Sequence, residues 1–239
     1  TTGDNSDALN ALNGGKIKAG SADITTSGGN AVAVYAQSGT QGVFSSVDIA
    51  GHATITTNGT ANSVYANENG EISFGSLELT TASGDALQAN SDGTNKGGVI
   101  RVAGDAVVKT LGPGASIGLF ANYGGNISIG GLATVTTSGV GAHGMQIGSD
   151  KESSISVGSA IISTDGEEAR GIDVSFGTVS VDNAAVIATS GDTADSLYVD
   201  RGTFKAGSLQ AQTHGNNALG IHSTGGGASV DITGLAKVT

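Results

Sequence analysis

The stretch ATVTTSG at 133–139 is nearly a copy of ATITTNG at 53–59, and weaker echoes stand at 22–28 (ADITTSG) and 185–191 (AVIATSG). Within it Ala133, Val135 and Thr137 alternate with Thr134 and Thr136. A period of two is the mark of a strand with one face buried. The phrase recurs, so the chain is first read as a repeat. Aligned on the glycine that closes each phrase, the units begin at Gly3, Gly28, Gly59, Gly84, Gly112, Gly139, Gly166, Gly191 and Gly215. The spacings run from 24 to 31 residues, which gives nine units.

Each unit carries three short alternating segments. The first segment starts at Leu9, Val34, Val64, Leu87, Leu119, Met145, Ile172, Leu197 and Ile221. In the unit that ends at Gly139, the second segment holds Ile127 and Ile129 and the third holds Ala133 and Val135. No segment shows a 3.6-residue stripe, and glycine this dense penalises helices. A propeller blade needs about 40–45 residues, and a six-residue rhythm is absent. The pattern therefore predicts an all-β chain, a right-handed parallel β-helix of about nine coils with three short strands per coil, as a single domain over 1–239. At about 4.8 Å per coil the rod is roughly 40 Å long. The second Thr of the phrase forms a column through Thr26, Thr57, Thr81, Thr110, Thr137, Thr164, Thr189 and Thr213. It should point inward at the strand end, its methyl packed and its hydroxyl bonded to nearby backbone or to the next Thr. The glycine is expected to supply the backbone conformation of a sharp corner.

Composition bounds the partners. The chain of 239 residues has 41 Gly, one Pro, no Cys, no Trp and a net charge of −11. Only ten Lys and Arg are available to neutralise phosphates, so nucleic acid is not an expected partner, nor is an anionic lipid surface. Disulfide frameworks and Cys-based zinc sites are excluded. No apolar run is long enough to span a bilayer and no signal-peptide pattern opens the chain, so no direct membrane insertion is expected. Four loop insertions are expected, at 38–46, 91–98, 113–116 and 149–153. Neither terminus reads as the polar cap that a solenoid needs, so a fragment of a longer rod is expected.

The repeated units GNISIGGLATVTTSG (125–139), GEISFGSLELTTASG (70–84) and GTFKAGSLQAQTHG (202–215) resemble the passenger domain of a Gram-negative type V autotransporter, of the adhesin type related to pertactin and the self-associating AIDA class. The likeness covers essentially the whole chain, and the absence of Cys matches it. It implies a bacterial cell-surface or secreted location, with anchoring through a C-terminal outer-membrane barrel that this sequence lacks. It also implies adhesion, auto-aggregation or biofilm formation.

The candidate contact face is the outward column of the first segment: Asn10, Tyr35, Tyr65, Gln88, Phe120, Gln146, Asp173, Tyr198 and His222. Tyr35, Tyr65, Phe120, Tyr198 and His222 are its expected contact residues, since aromatic rings with polar tips suit protein or sugar recognition. The bland reading is that rings favour strand surfaces and stack across coils. The expected partners are a host matrix protein, a glycan, or a second copy on another cell. Asn67, Asn90 and Asn122 fall in one further column and predict a hydrogen-bonded amide ladder.

Catalysis is weighed and set aside. Asp173 and Asp200 would lie roughly 8 Å apart, a separation that suits an inverting glycosidase pair, but chance surface acids meet that condition too. The motifs of pectin hydrolases are absent. His52, His143, His214 and His222 have no metal-ligand spacing and read as turn or surface residues. The calcium nonapeptide is absent, and no metal or cofactor is expected. A flat outward Thr array for ice binding is broken by Asp23, Glu78, Lys109 and Gln212. The reading is an adhesin segment and not an enzyme. The alternatives are a stalk that presents a distal domain and a polysaccharide-degrading β-helix.

Overall fold

The computed structural model describes residues 1–93, 95–148 and 152–239. Thr94 and residues 149–151, which fall within two of the expected insertions, lie outside the described residues. Those described are all β, with no helix, and every strand pairing is parallel. The chain winds into a solenoid of nine coils.

Two sheets build it. The first contains nine strands of three or four residues, in chain order: Leu9–Leu12, Val34–Gln37, Val64–Asn67, Leu87–Asn90, Leu119–Ala121, Met145–Ile147, Ile172–Val174, Leu197–Asp200 and Ile221–Thr224. The expected register holds along all of it, with Leu9 on Val34, Val34 on Val64, and so on to Leu197 on Ile221.

The second sheet corrects the expectation of three short strands. In six coils the second and third segments fuse into one strand of 11 to 13 residues: Ser45–Thr57, Gly70–Thr81, Asn126–Ser138, Ser154–Asp165, Thr178–Thr189 and Thr203–Thr213. They remain separate strands in the first, fourth and ninth coils, as at Lys16–Ala19 and Ala22–Thr26. The fused strands bend at a register shift, for example between Ile49 and His52 and between Ile129 and Leu132. Small residues make that bend possible without breaking the ladder. A Cβ at Gly51, Gly75 or Gly130 would stand 2.4–2.5 Å from a carbonyl oxygen of the coil before. Across the bend the backbone bonds continue, with Gly51 N–H donating to Gly20 O at 2.7 Å and Gly131 N–H to Gly104 O at 3.0 Å.

Alternation decides what is inside. The inward columns of Ala, Val, Ile and Leu form one continuous buried core, and Phe74 and Phe204 are its aromatic members. The Thr column closes one side of that core. From Thr26 to Thr189 every member is buried. The hydroxyls do not bond one another: Thr57 pairs with the Ser63 hydroxyl at 2.6 Å, and Thr81, Thr110, Thr137, Thr164 and Thr189 bond backbone. Thr137, Thr164 and Thr189 donate to the carbonyls five residues on, Ala142, Ala169 and Ala194, at 2.5–2.6 Å. Each tie staples the turn that leads into the next coil to the strand before it. The Thr26 hydroxyl is buried without a partner.

The closing glycine turns out to have a different purpose from the one expected. Only Gly84 and Gly139 of its column have a left-handed φ. The others after Gly3 are needed because successive turns touch. A Cβ at Gly28, Gly59, Gly166, Gly191 or Gly215 would lie 1.7–2.1 Å from the carbonyl oxygen of the column glycine one coil earlier.

Candidate interaction surface

Hydrogen bonding along the first sheet sets its outward column in register: Asn10, Tyr35, Tyr65, Gln88, Phe120, Gln146, Asp173, Tyr198 and His222 stand on successive coils. The five expected contact residues share this stripe and are all half-buried. They do not make one patch.

Tyr35 and Tyr65 form a stacked pair, with centroids 5.4 Å apart and planes inclined at 26°. The Tyr35 hydroxyl donates to Gln37, whose amide donates to Glu68 at 3.0 Å. Burial first, then the neighbouring Tyr65 and Glu68, pushes the Tyr35 phenol up to about 12, so it remains a neutral donor. Stacking along the rod turns the facing sides of these rings toward each other and leaves the edges outward.

Phe120 stands alone between two glutamines. Its ring leans over Gly148, where a Cβ would come within 3.3 Å of Cε2.

Tyr198 and His222 form a second cluster, edge to face at 5.0 Å. The Arg170 guanidinium lies 3.7 Å from the Tyr198 ring centroid, a cation–π contact, and donates to Asp173 at 2.7 Å. Asp173 is 2% exposed and also accepts from Ser175. His222 Nδ1 sits 2.9 Å from Asp195 Oδ2. Asp173 and Asp200, the pair weighed for catalysis, are each held in an ion pair, Asp200 by Arg201 at 2.8 Å.

The amide ladder does not form at Asn67 and Asn90. They are register partners, yet Oδ1 of each is buried and accepts no hydrogen bond. The Asn90 amide instead reaches the Tyr65 hydroxyl at 3.5 Å.

Two features escape the sequence reading. One is a column of side-chain acceptors two residues before five of the nine first-sheet strands. Asp7, Asn62, Asp85, His143 and Asp195 each accept the backbone N–H of the residue one coil on, namely Val32, Asp85, Ile117, Arg170 and Leu219, at 2.8–3.0 Å. His143 accepts through Nδ1, so its ring proton is on Nε2, 3.8 Å from Asp173 Oδ2. Burial holds this imidazole below its usual pKa. Burial also raises Asp85, from 3.8 to about 6. These acceptors are of three residue types, and only the register aligns them.

The other is the corner between the first and second segments. Phe44, Tyr123 and Phe176 lie there, with Lys96 over Phe44 at 5.7 Å and Arg201 over Phe176 at 4.4 Å. The insertion at 38–46 and the described part of 91–98 leave from this corner, whereas 113–116 follows a third segment. Phe74 and Phe204 are core, so all seven exterior aromatics lie on the first face or this corner.

Among the described residues no three His, Asp or Glu side chains come together as a metal-binding group. His52 bonds Ser76 and His214 bonds Gln212, both at the surface. No helix among the described residues is long and apolar enough to cross a membrane, which says nothing of strands. Compared with family models, curated proteins and solved structures, the chain matches none.

Proposed function

We propose that this chain is an adhesive segment of a bacterial surface protein, acting in adhesion, auto-aggregation or biofilm formation. The observation that carries the reading is the unbroken outward stripe of the first sheet. It places four of the seven exterior aromatics in one register column, and the other three flank it on the adjoining corner. Repetition makes such a face multivalent. Each coil offers a small contact, and contacts tethered on one stiff rod add through effective concentration. Its partner is a matrix protein, a glycan or a second copy. An acidic rod with ten cations is poorly suited to a polyanionic one.

A second reading, a non-binding stalk, draws support from the Tyr35–Tyr65 stack, since rings engaged with each other stabilise the rod without needing a ligand. Bacterial settling and host-matrix binding separate the two. Cells that display the protein are compared with cells whose copy lacks this segment and with the Tyr35→Ser/Tyr65→Ser variant. The adhesive reading expects both changes to weaken settling or binding while the variant keeps its circular dichroism spectrum. Unaltered settling and binding after deletion would leave the stalk.

A further inference from the structure

The charges of this acidic chain avoid one strip of its surface. In coils two to six the outward column of the first sheet and the position two residues on hold Tyr, Phe, Gln, Asn and a single Gly, without one ionised side chain. The other faces of the same coils carry Asp48, Glu71, Arg101, Glu78 and Lys109. The nearest carboxylate, Glu68, is buried and accepts from the Gln37 amide at 3.0 Å, so the strip gives an ionic ligand no exposed charge to pair with and desolvating such a ligand there would go uncompensated. Amides, by contrast, both donate and accept, as sugar hydroxyls do. Gln146 is the most available of them, since its side chain makes no hydrogen bond among the described residues. Beside it the half-buried Phe120 ring lies next to Gly148, where the lack of a side chain keeps the neighbouring coil low: a Cβ there would come within 3.3 Å of Cε2. The axial repeat matches as well. Coils follow one another at about 4.8 Å, close to the length of one pyranose residue in an extended chain.

We propose that the first-sheet face of coils two to six binds an uncharged oligosaccharide that lies along the rod. Phe120 is its stacking platform, and Gln88 and Gln146 are the hydrogen-bonding groups one coil to either side. The inference rests on the adhesive reading and specifies its ligand. Calorimetric titration of the purified protein tests it, with linear uncharged hexose oligosaccharides of two to six residues, an array of uncharged glycans, and oligouronates of matching length. An uncharged glycan should bind, more tightly with each residue up to about five, because each residue gained meets another coil. Oligouronates should bind at least several-fold more weakly. Phe120→Leu keeps apolar bulk but removes the ring, and Gln146→Ala removes the free amide. Each should lower affinity roughly tenfold with an unchanged circular dichroism spectrum. Absence of binding by every uncharged glycan, uronates that bind equally well, or a Phe120→Leu protein of full affinity would each overturn the proposal. Cells that still settle through this segment in any of those cases would preserve the adhesive reading and discard only its ligand.

Discussion

Replacing Gly191 with alanine tests the reading of the closing glycine most directly. A Cβ at this position would stand 1.7 Å from the Gly166 carbonyl oxygen, half of the 3.4 Å at which ordinary contact begins, and 2.2 Å from the carbonyl carbon. Both obstacles are backbone, so no rotamer relieves the clash. The two coils must separate locally, which strains the adjacent bond from Ser190 N–H to Thr164 O at 3.1 Å. Overpacking of this kind costs roughly 1–3 kcal/mol, and a weakened backbone hydrogen bond about 1 kcal/mol more. The expected loss is therefore about 2–4 kcal/mol. Gly20→Ala is the matched control. Its Cβ would meet nothing within 4 Å, and the stiffer unfolded chain should leave that variant unchanged or more stable by up to about 1 kcal/mol. Urea unfolding followed by far-ultraviolet circular dichroism gives both values from midpoint and slope. Amide exchange should place the lost protection in the seventh and eighth coils. Equal midpoints for the two variants would show that the column glycine is not set by the approach of successive coils.

The Thr column and the acceptor column give two further tests. Thr164→Val removes the hydroxyl bonded to the Ala169 carbonyl at 2.6 Å and should cost about 1 kcal/mol, whereas Thr26→Val, where the buried hydroxyl has no partner, should be neutral or stabilising. Urea midpoints that move alike would mean that the column only packs. Asp85, raised from 3.8 to about 6, binds more protons in the folded chain than in the unfolded one across that interval, so its contribution is complete below about pH 4 and is lost as pH rises through 6. Asp85→Asn keeps an acceptor for the Ile117 N–H, as Asn62 does for Asp85 one coil earlier, and should gain on the order of 1–3 kcal/mol at pH 7. The difference in stability between the variant and the natural chain should vanish near pH 4; a difference independent of pH would refute the assignment.

How far a sequence can be read depends on how local the deciding physics is. In ATVTTSG the alternation of Ala133, Val135 and Thr137 with Thr134 and Thr136 is a property of a single strand, because a pleated backbone sends neighbouring side chains to opposite faces. The inward columns and the burial of the Thr column followed from that alone. The recurrence of the phrase then fixed which residues become neighbours across coils, and the outward stripe from Asn10 to His222 came out aligned as expected. The division of that stripe into a Tyr35–Tyr65 stack, an isolated Phe120 and an Arg170–Tyr198–His222 cluster was not legible. It depends on rotamers chosen against neighbours one coil away.

The same holds for the glycines and the acceptors. A glycine is written alike whether a left-handed φ demands it, as at Gly84, or a carbonyl of another coil leaves no room for a Cβ, as at Gly191. Asp7, Asn62, Asp85, His143 and Asp195 are of three residue types, and Val32, Ile117, Arg170 and Leu219 hold the same position in other coils, so no letter pattern marks them as one column. The sequence by itself determined which side of each strand is buried and which residues stack on which, because both follow from a period of two within a strand and a repeat between strands. Only the tertiary structure decided where strands fuse, why each glycine is there and which polar groups cap which, because those are set by distances between backbones some two dozen or more residues apart in the chain.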